Sequence, residues 1–547
     1  MTLADAYLMR RDSRRVKLGF LLSFVVLGPL AGPSVSAQVK NDRAVSPAVR
    51  VITEGATIPP TAQQRRQSSR RRTARRTPVR TARRSAPVGP AWTSPRTASA
   101  LATDLGSILS SRTRGGTWGV LVVSVTRGDT LFSINPDALL KPASILKMMT
   151  TGLALERFGP DHTFETAVLR DRPITGGVLA GSLYLRGGGD PTLSLRFWQG
   201  ESPLDALARQ ISSVGIRHVR GDVIADESAF DTERIPVGWK SSYLMSAYAA
   251  PVSALSLNEN LVWIVARPEN GKAVVELDPA TSALTVTNTV RLVGGSGGRI
   301  SARRIADGGI AVSGTIGSRS APRRYSLVVQ EPPAFAAGAL LASLRKVGVQ
   351  VDGVVKSGAS PRGAEQVAVV RSLPMAHIVS YMNRESINHF AELLYRNAAR
   401  GEGRAGSSQA ALEALRDFIS TKAGGRGADI RVADGSGLSE ADSLTARSMV
   451  QLLAYAHRAP WGSVFHASMP VAGESELMRR RMRSTPAHGN LHAKTGTTNS
   501  VASLAGYVTA LNGEVLAFTF IYNGRDRLEA RATMDAMGPT LANFYRN

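Results

Sequence analysis

The stretch that most constrains this 547-residue chain runs from Lys141 to Leu155. Pro142 and Ala143 end an irregular run, and Ile145, Leu146, Met148, Met149, Leu153 and Leu155 then supply apolar positions over about three turns, which predicts a buried helix with Ser144 in its first turn. Lys147 follows Ser144 by three residues, so the two side chains share one helix face a turn apart. A serine hydroxyl is a poor nucleophile until a base takes its proton, and an amine does so only where burial or a second cation disfavours its ammonium form. The start of a helix adds backbone N–H groups and a positive dipole end, which favour charge developing on an attacked carbonyl oxygen. The spacing alone is weak, because Ser343-Leu344-Arg345-Lys346 repeats it.

Two further stretches strengthen it. His492-Ala493-Lys494-Thr495-Gly496-Thr497 precedes two apolar runs, Ser503 to Val508 and Leu516 to Tyr522, and the series reads as adjacent antiparallel strands. Gly496 permits close approach of another backbone. Lys494 is expected to face the same cavity as Lys147, holding it neutral and binding a substrate carboxylate. Ser386-Ile387-Asn388 opens an amphipathic run with Phe390, Leu393 and Leu394 inward and Glu392 and Arg396 on the wet face. Its hydroxyl and amide suit a proton relay and a grip on a peptide carbonyl. Ser133-Ile134-Asn135 and Ser256-Leu257-Asn258 have the same pattern, but Ser386 lies between Lys147 and Lys494 and opens a helix.

With Ser-x-x-Lys, Ser-x-Asn and Lys-Thr-Gly in this order, the chain resembles the penicillin-binding proteins. It is most similar to the class C, low-molecular-mass D-alanyl-D-alanine carboxypeptidase/endopeptidase group, peptidase family S13. Gly189-Asp190-Pro191-Thr192-Leu193, Gly221 to Asp226, Ala250 to Ala254, Asp434-Gly435-Ser436-Gly437-Leu438-Ser439 and Met469 to Gly473 fit that family, over roughly residues 95 to 547. The resemblance implies an α/β fold: a β-lactamase/transpeptidase-like domain, with an antiparallel sheet flanked by helices, carrying two nested inserted domains of which the inner is mostly β.

It also implies a mechanism. Ser144 is the nucleophile and Lys147 its base, Ser386 relays a proton, and Asn388 holds the acyl side. Lys494, Thr495 and Thr497 engage the terminal carboxylate beside Gly496, and Asp190 helps to recognise the diamino acid of the wall peptide. The implied substrates are peptidoglycan stem peptides and crosslinks, with β-lactams as covalent inhibitors and no cofactor or metal. No convincing glutamate loop primes a deacylating water as in class A β-lactamases. A β-lactamase or esterase of the same fold, or a non-catalytic wall-binding protein, are the competing readings.

The length suggests about three domains, and 43% hydrophobic content suffices for sizeable cores. The absence of cysteine excludes disulfides and thiolate metal sites, and the eight histidines show no ligand spacing. Residues 1–37 read as an export signal: Arg10, Arg11, Arg14, Arg15 and Lys17 precede an apolar run from Leu18 to Leu27, and Val35-Ser36-Ala37 offers a cleavage site. An exported, periplasmic or wall-associated protein is expected. Residues 38–92 are rich in Arg, Thr, Ser, Pro and Gln, too poor in apolar groups to offset the entropy of ordering, so a disordered segment is expected. Ten arginines fall between Arg65 and Arg84 and account for much of the +25 net charge. In an exported chain they meet anionic envelope surfaces, and no specific nucleic acid is expected.

Trp118 to Val125 and Thr130 to Ser133 read as a hairpin leading to Ser144. Between Lys147 and Ser386 lie 238 residues, more than one sheet-and-helix layer needs. The expected division is 93–165 with 374–547 as the catalytic domain, 166–258 with 326–373 as the first insert, and 259–325 as the second. Val178 to Leu185 and Val219 to Ile224 read as strands there, as do four runs between Leu261 and Val329, with helices near Leu204 to Val214 and Phe335 to Val347. The glycine-rich runs at Arg186 to Asp190 and Gly294 to Gly298 lack a phosphate-loop continuation and read as turns.

Overall fold

Apolar runs from opposite ends of the chain meet in one sheet. The structure, a computed structural model, describes residues 92–547 except 114, 199, 307 and 402–404. The export signal and the arginine-rich run lie outside the described residues. β1 (Thr117–Ser124) and β2 (Thr130–Ile134) pair as the hairpin, while β3 (His492–Thr497), β4 (Val501–Thr509) and β5 (Val515–Asn523) form an antiparallel meander. β1 lies against β5, with Thr117 opposite Asn523 and Ser124 opposite Leu516, giving the order β2-β1-β5-β4-β3. The strand carrying Lys494 is therefore at an edge.

Alternation sends the side chains of each strand to two faces, and here both are covered. Along β4, Ala502, Leu504 and Val508 enter one core and Ala505 and Tyr507 the other, so the strand reads as an unbroken apolar run. The first core contains helices Ala98–Arg112 and Arg527–Ala542. The second is a helical layer that includes Leu146–Phe158, Met375–Glu385, Asn388–Ala399 and Ala446–Arg458.

Glu392 and Arg396 do not sit on a wet face. Helix Asn388–Ala399 is buried all round from Asn388 to Ala398. Arg396 is balanced by Asp231 at 2.5 Å and Glu233 at 3.2 Å, and Glu392 accepts the N–H of Gly435 at 3.1 Å. A polar stripe of helical period signals water only when nothing distant in the chain supplies partners for it. Here distant segments supply both.

Between the nucleophile helix and Met375 the chain builds a mixed five-stranded sheet, in the order Val355–Ser357, Val223–Asp226, Leu183–Gly187, Glu165–Arg170, Glu365–Arg371. Helices Pro203–Ser213 and Pro332–Lys346 share its core. Two three-stranded sheets occupy residues 261–328. Val178 to Leu185 and Val219 to Ile224 are each two strands rather than one, and the halves join different sheets. The breaks fall at Gly181 and Gly221, which nest together: a Cβ on Gly221 would lie 2.5 Å from the carbonyl oxygen of Gly181. Strands Glu165–Arg170, Ile310–Gly317 and Glu365–Arg371 carry charges or glycines that obscure their alternation.

Candidate active site

Ser144 sits in a 3-10 turn, Ala143–Ile145, that runs straight into helix Leu146–Phe158. Ala143 has φ of 49°, a left-handed conformation that costs an alanine energy and persists only where the surroundings enforce it. They do so from several directions. The Asn523 side chain accepts from Lys141 N at 2.8 Å and donates to Lys141 O at 3.0 Å, and Ser503 Oγ donates to Pro142 O at 2.6 Å. Two glycines let the backbone close in: a Cβ on Gly437 would lie 2.0 Å from Ala143 O, and one on Gly496 would lie 2.8 Å from Pro142 O.

Lys147 Nζ is 3.0 Å from Ser144 Oγ and donates at 2.7 Å to both Asn388 Oδ1 and the Ser436 carbonyl. A neutral amine has two N–H groups and one lone pair. With the N–H groups spent on Asn388 and Ser436, the lone pair remains for the serine hydroxyl. Burial is the leading cause that lowers this lysine to about 8, against the opposing pull of Asp434, Glu392 and Asp442. The Ser436 carbonyl is fixed by Asp434, whose carboxylate accepts backbone N–H groups from Ser436, Gly437, Leu438 and Ser439 and the indole N–H of Trp239, at 2.7–3.1 Å.

Lys494 Nζ donates to Ser386 Oγ at 2.9 Å and to Thr495 O at 3.0 Å. It is fully buried and its pKa is pushed well down, by burial first and by the charge of Lys147 second. The sequence had Lys494 neutralising Lys147; burial is the leading cause for both. Ser386, with φ of 60°, forms the left-handed turn between helices Met375–Glu385 and Asn388–Ala399. The Asn388 amide is engaged at both ends, its Nδ2 donating to Tyr248 O at 2.8 Å, so it ties Lys147 to the segment carrying Tyr248, and the second N–H of Nδ2 is left for a peptide carbonyl.

A cavity of about 240 Å³ opens over this cluster, lined by Ser144, Ser386, Thr495, Gly496 and Thr497. Ala493 donates its N–H outward, away from β4, to Pro470 O at 3.0 Å. Period-two alternation then leaves the N–H groups of Thr495 and Thr497 on the same open edge. Asp190 is not brought to the cavity. Buried elsewhere, it accepts from Thr192 N at 2.6 Å and Thr192 Oγ1 at 2.7 Å, and burial pushes it up to about 7. The decoy pair Ser343 and Lys346 lies at a larger depression of about 740 Å³, where both side chains bond Asp205 at 2.7 Å. That carboxylate raises the lysine pKa, so the amine there stays charged and is no base.

Asn523, Ser503, Asp434 and Ser436 were not singled out as site residues from the sequence. Only Asp434 had a readable signal, an acid followed by glycine-rich turn residues.

The sequence model of the D-Ala-D-Ala carboxypeptidase 3 (S13) family matches residues 101–544. The chain belongs to this family. It is 34% identical over 453 residues to the D-alanyl-D-alanine carboxypeptidase of Actinomadura sp. (strain R39), covering 79% of this chain and 82% of that protein. It is 26% identical over 418 residues to the D-alanyl-D-alanine carboxypeptidase DacB of Haemophilus influenzae, covering 75% and 86%. The crystal structure of penicillin binding protein 4 (dacB) from Haemophilus influenzae matches with a TM-score of 0.67 at 25% identity, over 80% of this chain and 98% of that one. The family resemblance read from the motifs is thus shown, and with it the helix-flanked antiparallel sheet.

For this S13 chain the packing of Gly496 makes a sharp prediction. A Cβ there would lie 2.2 Å from Ser503 Oγ and 3.0 Å from Ser144 N. Gly496→Ala is expected to slow acylation by benzylpenicillin at least about tenfold while costing only about 1–3 kcal/mol of stability, read from adduct kinetics and urea unfolding.

Proposed function

We propose that the protein is a serine-type D-alanyl-D-alanine carboxypeptidase and endopeptidase that cuts peptidoglycan stem peptides and crosslinks through a Ser144 acyl-enzyme. The observation that carries this reading is the 3.0 Å contact between Ser144 Oγ and the buried amine of Lys147. Lys147 Nζ takes the hydroxyl proton as Oγ attacks the carbonyl carbon between two D-alanine residues. The oxyanion lies between the backbone N–H groups of Ser144 and Thr497, and one such donor is worth about a hundredfold to a thousandfold in rate. Ser386, bonded to Lys494, relays the proton taken up by Lys147 to the leaving amine as the C–N bond breaks. Asn388 holds Lys147 in place, and Thr495 and Thr497 contact the terminal carboxylate. Water then adds to the acyl carbon as Lys147 takes its proton, and Lys147 passes that proton to Ser144 Oγ as the ester C–O bond breaks.

β-Lactams acylate Ser144 by the same route, and their ring nitrogen, still attached after opening, obstructs the incoming water. Penicillin binding protein 4 of Haemophilus influenzae has been crystallised complexed with a novel β-lactam. A role for Asp190 toward the diamino acid rests on the family resemblance alone, since its carboxyl is turned to Thr192.

The reaction is tested by intact mass after benzylpenicillin and by D-alanine release from a pentapeptide muropeptide. The wild type is expected to form a covalent adduct and release D-alanine, and Ser144→Ala to do neither. Adduct formation by Ser144→Ala would overturn the assignment, and rapid penicillin turnover without muropeptide cleavage would favour a β-lactamase.

The place of action in this reading is the periplasm or wall, supported by the signal-like residues 1–37 and by the substrate. Among the described residues no helix is long and apolar enough to cross a membrane. We assign the arginine-rich segment to electrostatic contact with anionic envelope surfaces, an attraction that salt weakens. Deleting residues 38–90 is expected to leave hydrolysis of a soluble peptide unchanged and to reduce retention on anionic vesicles at low salt. Equal retention would remove the anchoring role.

A further inference from the structure

A substrate with a free carboxylate beside the scissile bond needs a cation to receive it, and the lysine of Lys-Thr-Gly is poorly placed to be that cation. Lys494 is fully buried and its amine is committed to Ser386 Oγ and Thr495 O. Thr495 and Thr497 offer hydroxyl and N–H groups but no charge.

The cavity over Ser144 has a second set of lining residues: Arg481, Arg527 and Arg531, with Leu477 and Leu528. Arg527 and Arg531 open the C-terminal helix Arg527–Ala542 and are four residues apart, so both guanidinium groups project from one helix face. Among the described residues, neither makes a hydrogen bond or an ion pair. Arg481 is only 5% exposed. Its Nε donates to Asp535 Oδ1 at 2.7 Å, while its buried Nη2, at ion-pair distance from the same oxygen, makes no hydrogen bond.

Of the three guanidinium groups only that of Arg481 has a carboxylate partner, and Arg531 repels the charge on Arg481. Such an excess of like charge lining a cavity is relieved by an anion entering it. A guanidinium presents a planar fork of N–H donors that matches a carboxylate. Leu477 and Leu528, 46% and 67% exposed, add an apolar surface beside them.

We propose that Arg527 and Arg531, backed by Arg481, form the subsite for the free α-carboxylate of the leaving D-amino acid, with Leu477 and Leu528 beside its small side chain. Because Ser144 lines the same cavity, an anion held by these arginines is a neighbour of the reacting carbonyl. On the leaving side that neighbour is the terminal carboxylate. The assignment rests on the D-Ala-D-Ala reading above, and it makes the two arginines specificity residues for substrates whose carboxylate is unblocked.

The test compares an N-acylated D-Ala-D-Ala peptide with its C-terminal amide, using the wild type, Arg527→Gln with Arg531→Gln, and Arg527→Lys with Arg531→Lys. Both positions lie on the helix surface, so the variants leave the Arg481–Asp535 ion pair in place. For the free acid the glutamine variant is expected to raise KM about ten- to a hundredfold, with kcat changed less than about threefold, as loss of charge-assisted hydrogen bonds implies. The lysine variant should recover part of that loss, and on the amide the wild type and both variants should differ little. An unchanged KM for the free acid, or an equal loss on acid and amide, overturns the subsite alone. Cleavage of neither substrate by the wild type overturns the D-Ala-D-Ala reading and the subsite with it.

Discussion

The removal of water from one amine governs the rest of this structure. Lys147 is fully buried, and the energy of keeping an ammonium ion out of water brings its pKa down to about 8. Three acidic residues nearby, Asp434, Glu392 and Asp442, pull the other way. Their pull is limited by their own surroundings. Burial raises Glu392 to about 8, so that it tends toward the neutral acid near neutral pH, and raises Asp442 well above the usual carboxylate range. Asp434 accepts a ring of backbone N–H groups and exerts the strongest of the three opposing pulls. Burial outweighs the acidic cluster at this lysine.

The same economy appears in the backbone. The two serines of the cluster are each associated with a left-handed turn at a residue that is not glycine: Ala143 immediately before Ser144, and Ser386 itself. Strain of this kind survives because distant parts of the fold close on it. Asn523 clamps Lys141, Ser503 holds Pro142, and Gly437 and Gly496 bring two further segments into backbone contact with the nucleophile turn. The edge position of β3 then matters chemically, since an interior strand would have its outward N–H groups paired and unable to meet an oxyanion.

What the sequence made legible was whatever repeats along a single element. Ser144 and Lys147 are one turn apart, and Lys494 and Gly496 are two residues apart on one strand, so local periodicity sufficed to suggest them. Asn523, Ser436 and Arg481 act across long separations and stand in unremarkable local sequence. The same limit explains Glu392 and Arg396, whose helical spacing was right but whose partners, Gly435 with Asp231 and Glu233, come from elsewhere in the chain. Gly181 and Gly221 broke strands that looked continuous because their effect depends on each other's backbone.

A base that must be unprotonated to act, with a pKa lowered by burial, has a definite signature: below that value the reactive form falls tenfold per pH unit, and above it the form is saturated. The most direct measurement is the second-order rate of Ser144 acylation by benzylpenicillin from about pH 6 to about pH 10, ranges in which the antibiotic's own charge is constant. The rate is expected to climb with pH and level off near about 8, the value to which burial lowers Lys147. A rate that falls as pH rises would contradict the neutral amine on which the mechanism stands, and a rate flat across this range would contradict a Lys147 that titrates near about 8.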